Sequence, residues 1–390
     1  MVKDWNSPQV YLTEDPKAVR EGYAVHSMGT GLGYWTPTAD MEFARSDHAV
    51  VSYDKYAYLV GGLNDNGQGN ATLLASVNRY DTETGLMVAM APMSQGRYRF
   101  AYALLDGKIY IMGGTLEVDG LPIDTVEVYD IASNTWGKTG KLTMPRIDAC
   151  GAAINGKVYI IGGYDGNFRS LASLEVIDPA TSTATAEPQP ALLPASANLI
   201  GDRADCRAVT VDGYIYALGG TKFVDKGEAI CNSADWIQCY EFLSSVERFD
   251  PNTQRWSPRA AMINPRGDFG VEALPSGRII VAGGERGNGT QNQMAMYDVE
   301  EYIAADDIWI PKAPLPQARF RDDLAYVNGR VYAFGGTPTC ALTADANASC
   351  YRLALKSVFA YFDVPYPRLY AFYQKDPKAP SKSLWGRRMA

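Results

Sequence analysis

Six arginines carry the chemistry that the sequence offers most openly. Arg45, Arg97, Arg146, Arg203, Arg266 and Arg319 are each followed two residues later by a second charged side chain: Asp47, Arg99, Asp148, Asp205, Asp268 and Arg321. If these stretches are strands, residues i and i+2 point to one side, so each pair meets a single environment. In the third, fourth and fifth pairs an Asp answers the Arg, which implies mutual neutralisation between neighbouring units. In the second and sixth pairs an Arg follows the Arg. Arg97, Arg99, Arg319 and Arg321 then gather near Arg45 as a positive cluster able to hold a carboxylate, a sulfated or uronic sugar, or an acidic peptide, because guanidinium forks grip such groups bidentately. Tyr98, Phe100 and Phe320 interleave with them and offer stacking surface. Asp47 or Asp322 is the candidate proton acceptor if an acidic sugar is turned over there.

The elements that must position these residues repeat. Gly-Gly doublets close apolar runs at Gly61-Gly62, Gly113-Gly114, Gly162-Gly163, Gly219-Gly220, Gly283-Gly284 and Gly335-Gly336. An Arg precedes the first Gly by 16 residues in five units and by 17 in the fifth, where the turn Leu274-Pro275-Ser276-Gly277 is one residue longer. Between Arg and doublet sits a hairpin turn such as Asp106-Gly107, Asn155-Gly156 or Asn328-Gly329, whose residues tolerate the positive φ of a tight turn. After each doublet come a variable loop and a strand ending in Tyr80-Asp81, Tyr129-Asp130, Ile177-Asp178, Phe249-Asp250, Tyr297-Asp298 or Phe362-Asp363. Trp35, Trp136, Trp256 and Trp309 then stand ten residues before the next Arg; Met87 takes that place once, and a Pro-rich stretch, Pro188 to Pro194, once.

This order of apolar run, Gly-Gly, Tyr-Asp and Trp resembles the kelch repeat, over residues 33–365 and six times. The resemblance implies an all-β fold, a six-bladed β-propeller with one four-stranded blade per repeat. The last unit lacks its Trp strand, and Trp35 to Met41 supplies one at the other end. The chain is therefore expected to close on itself through an N-terminal strand, removing the open edge of a linear array. Residues 1–32 form an N-terminal arm and 366–390 a basic, aromatic C-terminal arm, either wrapping the acidic propeller or docking on a larger assembly.

Four cysteines fall in the two longest loops after Gly-Gly, as Cys231/Cys239 and Cys340/Cys350, and are expected to form two short-range disulfides. Cys150 and Cys206, on innermost strands, are read as small buried fillers. Paired loop cysteines favour an oxidising, extracellular or secretory compartment, as do the sequons at Asn70, Asn288 and Asn347. No secretory leader is legible at Met1, and the alternative is the cytoplasm.

A net charge of -8 argues against nucleic acid as a partner, and no stretch of 18 apolar residues suggests a membrane span. No cofactor or metal site is expected. Some kelch-like propellers are copper radical oxidases, but His26 and His48 are the only histidines and cannot assemble that centre. The reading that follows is a non-catalytic protein-binding or assembly module with an Arg-rich channel mouth. The alternative is a mutarotase- or epimerase-like enzyme acting on an acidic sugar at that mouth.

Overall fold

Alternating apolar residues on either side of each Asp-Gly or Asn-Gly turn fold into antiparallel sheets. The computed structural model describes residues 32–65, 71–181, 188–231, 236–275, 277–287, 293–338 and 353–363. It contains six four-stranded sheets. Blade one comprises Ala49–Tyr53, Tyr56–Val60, Val77–Asp81 and Met87–Met90; blade two, Ala101–Leu105, Lys108–Met112, Thr125–Asp130 and Thr135–Lys141. Blade three has Cys150–Ile154, Lys157–Ile161, Leu174–Ile177 and the short Ala191–Leu192. Blade four has Arg207–Val211, Tyr214–Leu218, Val246–Asp250 and Arg255–Arg259; blade five, Gly270–Leu274, Arg278–Ala282, Val299–Ile303 and Ile308–Lys312. Blade six takes Asp323–Val327, Arg330–Phe334 and Val358–Phe362 from late in the chain, and its outermost strand, Tyr34–Pro37, from early in it. The fold is a six-bladed β-propeller closed by an N-terminal strand.

The Gly-Gly doublets are the seams between blades. The N–H of each second glycine donates to the carbonyl of the next blade's Arg: Gly62 to Arg97, Gly114 to Arg146, Gly163 to Arg203, Gly220 to Arg266, Gly284 to Arg319, and Gly336 back to Arg45, all at 2.8–2.9 Å. The last of these closes the ring. A side chain would prevent this approach: a Cβ on Gly113, at φ 65°, would stand 2.4 Å from the Arg146 carbonyl oxygen. Only glycine combines that backbone conformation with that contact.

The tryptophans stitch the outer rim. Trp136 Nε1 donates to Ala91 O, Trp256 to Ala197 O, Trp309 to Ala260 O and Trp35 to Ala313 O, each at 2.8–2.9 Å in the preceding blade. Each indole also packs on the aromatic that ends its own third strand, as Trp136 does on Tyr129 at 5.2 Å and Trp35 on Tyr361 at 5.1 Å. One ring thus joins intra-blade packing to inter-blade hydrogen bonding.

Trp35–Tyr361 forms one compact unit. Apart from Leu32, both arms lie outside the described residues, as do Cys340, Cys350, Asn70, Asn288 and Asn347.

Candidate functional site

The six arginines that precede the inner strands do not face the channel. All are essentially fully buried, at 0–2% exposure. Each reaches into its own blade, where Nη1 donates to the carbonyl of the first glycine of the doublet: Arg97 to Gly113 at 3.2 Å, Arg146 to Gly162 at 2.8 Å, Arg203 to Gly219 at 2.9 Å. Nη2 meets a carboxylate on the third strand in four blades, as Arg97–Glu127 and Arg146–Glu175 at 2.7 Å and Arg203–Glu247 and Arg266–Glu300 at 2.5 Å. In blade one Asn78 replaces the Glu, at 2.8 Å from Arg45, and in blade six Phe359 lies beneath the Arg319 guanidinium at 4.8 Å. Arg45, Arg97 and Arg319 are blade fasteners, which corrects their placement in a ligand site.

The shared-environment premise fails for a backbone reason. Asp47, Arg99, Asp148, Asp205, Asp268 and Arg321 all adopt left-handed φ between 49° and 57°, so strand alternation does not carry through them. Each turns its side chain to the axis while its backbone joins a ring across blades. Asp148 N–H donates to Arg99 O at 2.9 Å, Asp205 to Asp148 at 3.0 Å, Asp268 to Asp205 at 2.9 Å, Arg321 to Asp268 at 2.6 Å and Asp47 to Arg321 at 3.1 Å.

This axial ring holds four carboxylates and two guanidinium groups. Arg99 forks onto Asp148, with Nε 3.1 and 2.8 Å from its two oxygens. Arg321 Nε lies 3.3 Å from Asp268 and 3.5 Å from Asp47. Asp205 accepts from Tyr164 at 3.0 Å and Thr221 at 2.7 Å. Burial, reinforced by Asp268 and Asp148, pushes the Asp205 carboxyl well above its ordinary value, and burial raises Asp268 to about 6. Buried Glu285 is likewise held well above the usual carboxylate range, with Asp268 next to burial as cause. The ring is therefore acidic in balance, and no Arg-rich patch assembles from Arg45, Arg97, Arg99, Arg319 and Arg321. Tyr98 and Phe320, both 3% exposed, offer no stacking surface to a ligand: the Arg321 guanidinium lies over the Phe320 ring at 5.2 Å, and the Tyr98 hydroxyl accepts from Asp119 N–H at 2.8 Å.

Oxygens of Asp47, Asp148 and Asp268 come within 4.8 Å of one another, the geometry a cation would need. Arg99 and Arg321 already supply the counter-charge to all three, so an added cation must displace a guanidinium.

Two features escape the pattern of Arg pairs. The residue after each doublet (Leu63, Thr115, Tyr164, Thr221, Glu285 and Thr337) pairs with the residue after each Arg, beside the ring; five of the six are polar, and that was a usable signal. The second is an aromatic cluster over blades three and four. Tyr164 lies 6.0 Å from Phe168 and 5.7 Å from Tyr240, and Tyr240 lies 5.6 Å from Phe223, with Arg169 stacked 3.9 Å over Phe223. The Cys231–Cys239 disulfide, as expected, closes the loop just before Tyr240. Cys150 and Cys206 are not independent fillers: they are bonded to each other across the seam between blades three and four, with Cα atoms 5.6 Å apart.

A family model described as the KLHDC2/KLHL20/DRC7 Kelch-repeats domain matches residues 47–258. Kelch-like protein 38 of Rattus norvegicus is 26% identical over 250 residues, covering 63% of this chain and 38% of that protein. Alpha-scruin of Limulus polyphemus is 28% identical over 158 residues, 38% of this chain and 17% of that protein. Kelch-like protein 33 of Homo sapiens is 34% identical over 122 residues, 31% and 22% of the two chains. Each match spans less than two-fifths of the relative. A solved structure titled "Structure of YjhT" superposes with a TM-score of 0.60 at 16% identity, over 82% of this chain and 96% of that one, which is a likeness of fold.

Proposed function

The chain belongs to the kelch-repeat family, and on that premise we propose that it is a non-catalytic binding or assembly module working through one face of the propeller. In an antiparallel four-stranded blade the connection after the second strand and the one after the fourth open on the same side. Of the thirteen large apolar residues exposed among the described residues, eight lie in these connections, including Phe43, Met144, Phe168, Ile200, Ile263 and Tyr297; the opposite face has only Leu86, in a turn, and Tyr53, at the end of a strand. Single exposed apolar residues need no explanation, but their collection on one face marks an interaction surface. This asymmetry carries the proposal. Two grooves open on the same side, one of 440 Å³ between Ile237, Tyr240, Phe242 and Pro265, the other of 630 Å³ between Leu73, Leu116 and Val118.

Affinity purification compared across variants tests it. Ile200→Glu with Ile263→Glu is expected to deplete specific partners at least tenfold, equivalent to about 1.4 kcal/mol. Lys55→Glu on the opposite face should retain them. Unchanged partners in the first variant would sink the proposal. A channel-mouth enzyme for acidic sugars has less support, since both axial guanidinium groups are engaged by Asp side chains.

Two disulfides, one within a loop and one between blades, support an oxidising and hence extracellular setting for this propeller. Alkylation of the denatured, unreduced native protein should leave Cys150, Cys206, Cys231 and Cys239 unmodified. Labelling of those four would place the protein in a reducing compartment instead.

A further inference from the structure

The rims of the six blades are not equally protected. Two residues after the Trp of the outermost strand stands Pro258 in blade four, Pro311 in blade five and Pro37 in blade six; blade two has Lys138 there. Blade three cuts the strand to Ala191–Leu192, with Pro190 before it and Pro194 after. Proline, lysine and shortness are the devices that stop a sheet edge from recruiting another strand. Blade one has none of them within its strand, and only Pro92 follows it by two residues, as Pro194 follows that of blade three. Its outermost strand is Met87-Val88-Ala89-Met90, uncharged, with Val88 44% exposed and the preceding Leu86 65% exposed.

The hydrogen-bond phase shows which groups this edge leaves open. Asp81 N–H donates to Leu86 O at 2.9 Å, and the register runs Tyr80 to Met87, Arg79 to Val88 and Val77 to Met90. Bonded and non-bonded pairs alternate along an antiparallel ladder. Leu86, Val88 and Met90 therefore direct their backbone inward, and Met87, Ala89 and Ala91 direct theirs outward. Ala91 is taken by blade two: its N–H donates to Asn134 Oδ1 and its carbonyl accepts from Trp136 Nε1, both at 2.8 Å. Among the described residues nothing takes those groups of Met87 and Ala89, which are placed symmetrically about Val88. In blades four, five and six the residue equivalent to Ala89 is the proline, which lacks the N–H that an added strand needs.

We propose that this edge pairs with the same edge of a second copy of the chain, antiparallel, about a two-fold axis through Val88. A two-fold contact requires a patch complementary to itself, and this one is. Met87 of each copy meets Ala89 of the other, exchanging four backbone hydrogen bonds. Val88 faces its own counterpart as a close, non-hydrogen-bonded pair, and Leu86 faces Met90 of the partner subunit on the same side of the sheet. No charge opposes a like charge anywhere along the pairing. Two four-stranded blades become one eight-stranded sheet, and the contact leaves the loop-bearing face free.

Sedimentation velocity across a concentration series reads the assembly. The wild-type chain is expected to shift to twice the monomer mass as concentration rises. Ala89→Pro, which installs the residue three other blades tolerate at this position, is expected to stay monomeric with an unchanged circular dichroism spectrum. Val88→Cys supplies an independent readout: Cα atoms about 4.5 Å apart in a non-hydrogen-bonded pair suit a disulfide, so this variant should oxidise to a covalent dimer on a non-reducing gel. A wild-type chain that stays monomeric throughout, with Val88→Cys failing to cross-link, overturns the proposal. So does a dimer that survives Ala89→Pro, which would place the contact elsewhere, or binding of an unrelated extended peptide at this edge without self-association.

Discussion

Arg146→Ala is expected to lower the free energy of unfolding by about 3–5 kcal/mol, the range for removing one partner of a buried ion pair. Arg146 and Glu175 are both fully buried. The guanidinium satisfies Gly162 O at 2.8 Å and Ser173 O at 3.3 Å, and so holds the second and third strands of its blade together. Glu175 uses its second oxygen to accept from Thr143 N–H at 2.7 Å. Without Arg146 that carboxylate stays buried with one backbone donor and no counter-charge, which is where most of the loss arises. Blades one and six show the pair relaxed by other means, through Asn78 and Phe359 in the acid's place. There burial, with no third-strand carboxylate to offset it, brings Arg45 and Arg319 down to about 10. Adding Glu175→Gln to Arg146→Ala should therefore recover a large part of the loss, because a neutral amide is the blade-one solution. Urea denaturation of the two variants and the wild type measures both effects. A single-variant loss below about 1 kcal/mol, the range of exposed pairs, would contradict the account.

Backbone logic was legible in the sequence and side-chain direction was not. A Gly-Gly doublet reports that something comes too close for a Cβ, and six matched doublets report six such approaches; the visitors are the Arg carbonyls of the neighbouring blades. The Trp at the start of the chain likewise announced the missing rim strand, because Trp35 has to stand on an aromatic and a neighbour's carbonyl as Trp309 does. The arginines misled because the i and i+2 rule assumes regular strand geometry. Six left-handed residues, one per blade from Asp47 to Arg321, break that geometry at the point where the rule was applied. Four of the six are Asp, a residue that tolerates left-handed φ, which hints at the break; Arg99 and Arg321 conceal it. The Glu partners of the buried arginines lie 29–44 residues away in a strand that looks ordinary, and only the seam geometry reveals that Cys150 and Cys206, 56 residues apart, face each other.

Asp322→Asn is expected to leave stability near pH 4 unchanged and to raise it by several kcal/mol at pH 9. In blades two and five the third residue after the Arg is a phenylalanine whose ring fills the seam against the preceding blade's first glycine, as Phe100 does at Gly61 and Phe269 at Gly219. Blade six places Asp322 there, fully buried, and among the described residues no other donates a hydrogen bond to either carboxyl oxygen. Burial is the main cause that pushes its pKa from 3.8 up to about 8, and Arg319 pulls the other way without prevailing. The folded chain thus keeps a proton that the unfolded chain releases above pH 4. Stability falls as pH rises through that window and levels off above about 8, at about 1.4 kcal/mol for each pH unit between the two values. Asp268 and Asp323, raised to about 6, and Glu272, raised to about 7, impose losses of the same sign at lower pH in both proteins. The difference between wild type and Asp322→Asn therefore isolates this one carboxyl. Chemical denaturation of the pair at pH 4, 7 and 9 should show the two curves diverging upward in pH. Parallel curves would mean that Asp322 is ionised and compensated in the folded state, with Arg319 its effective partner.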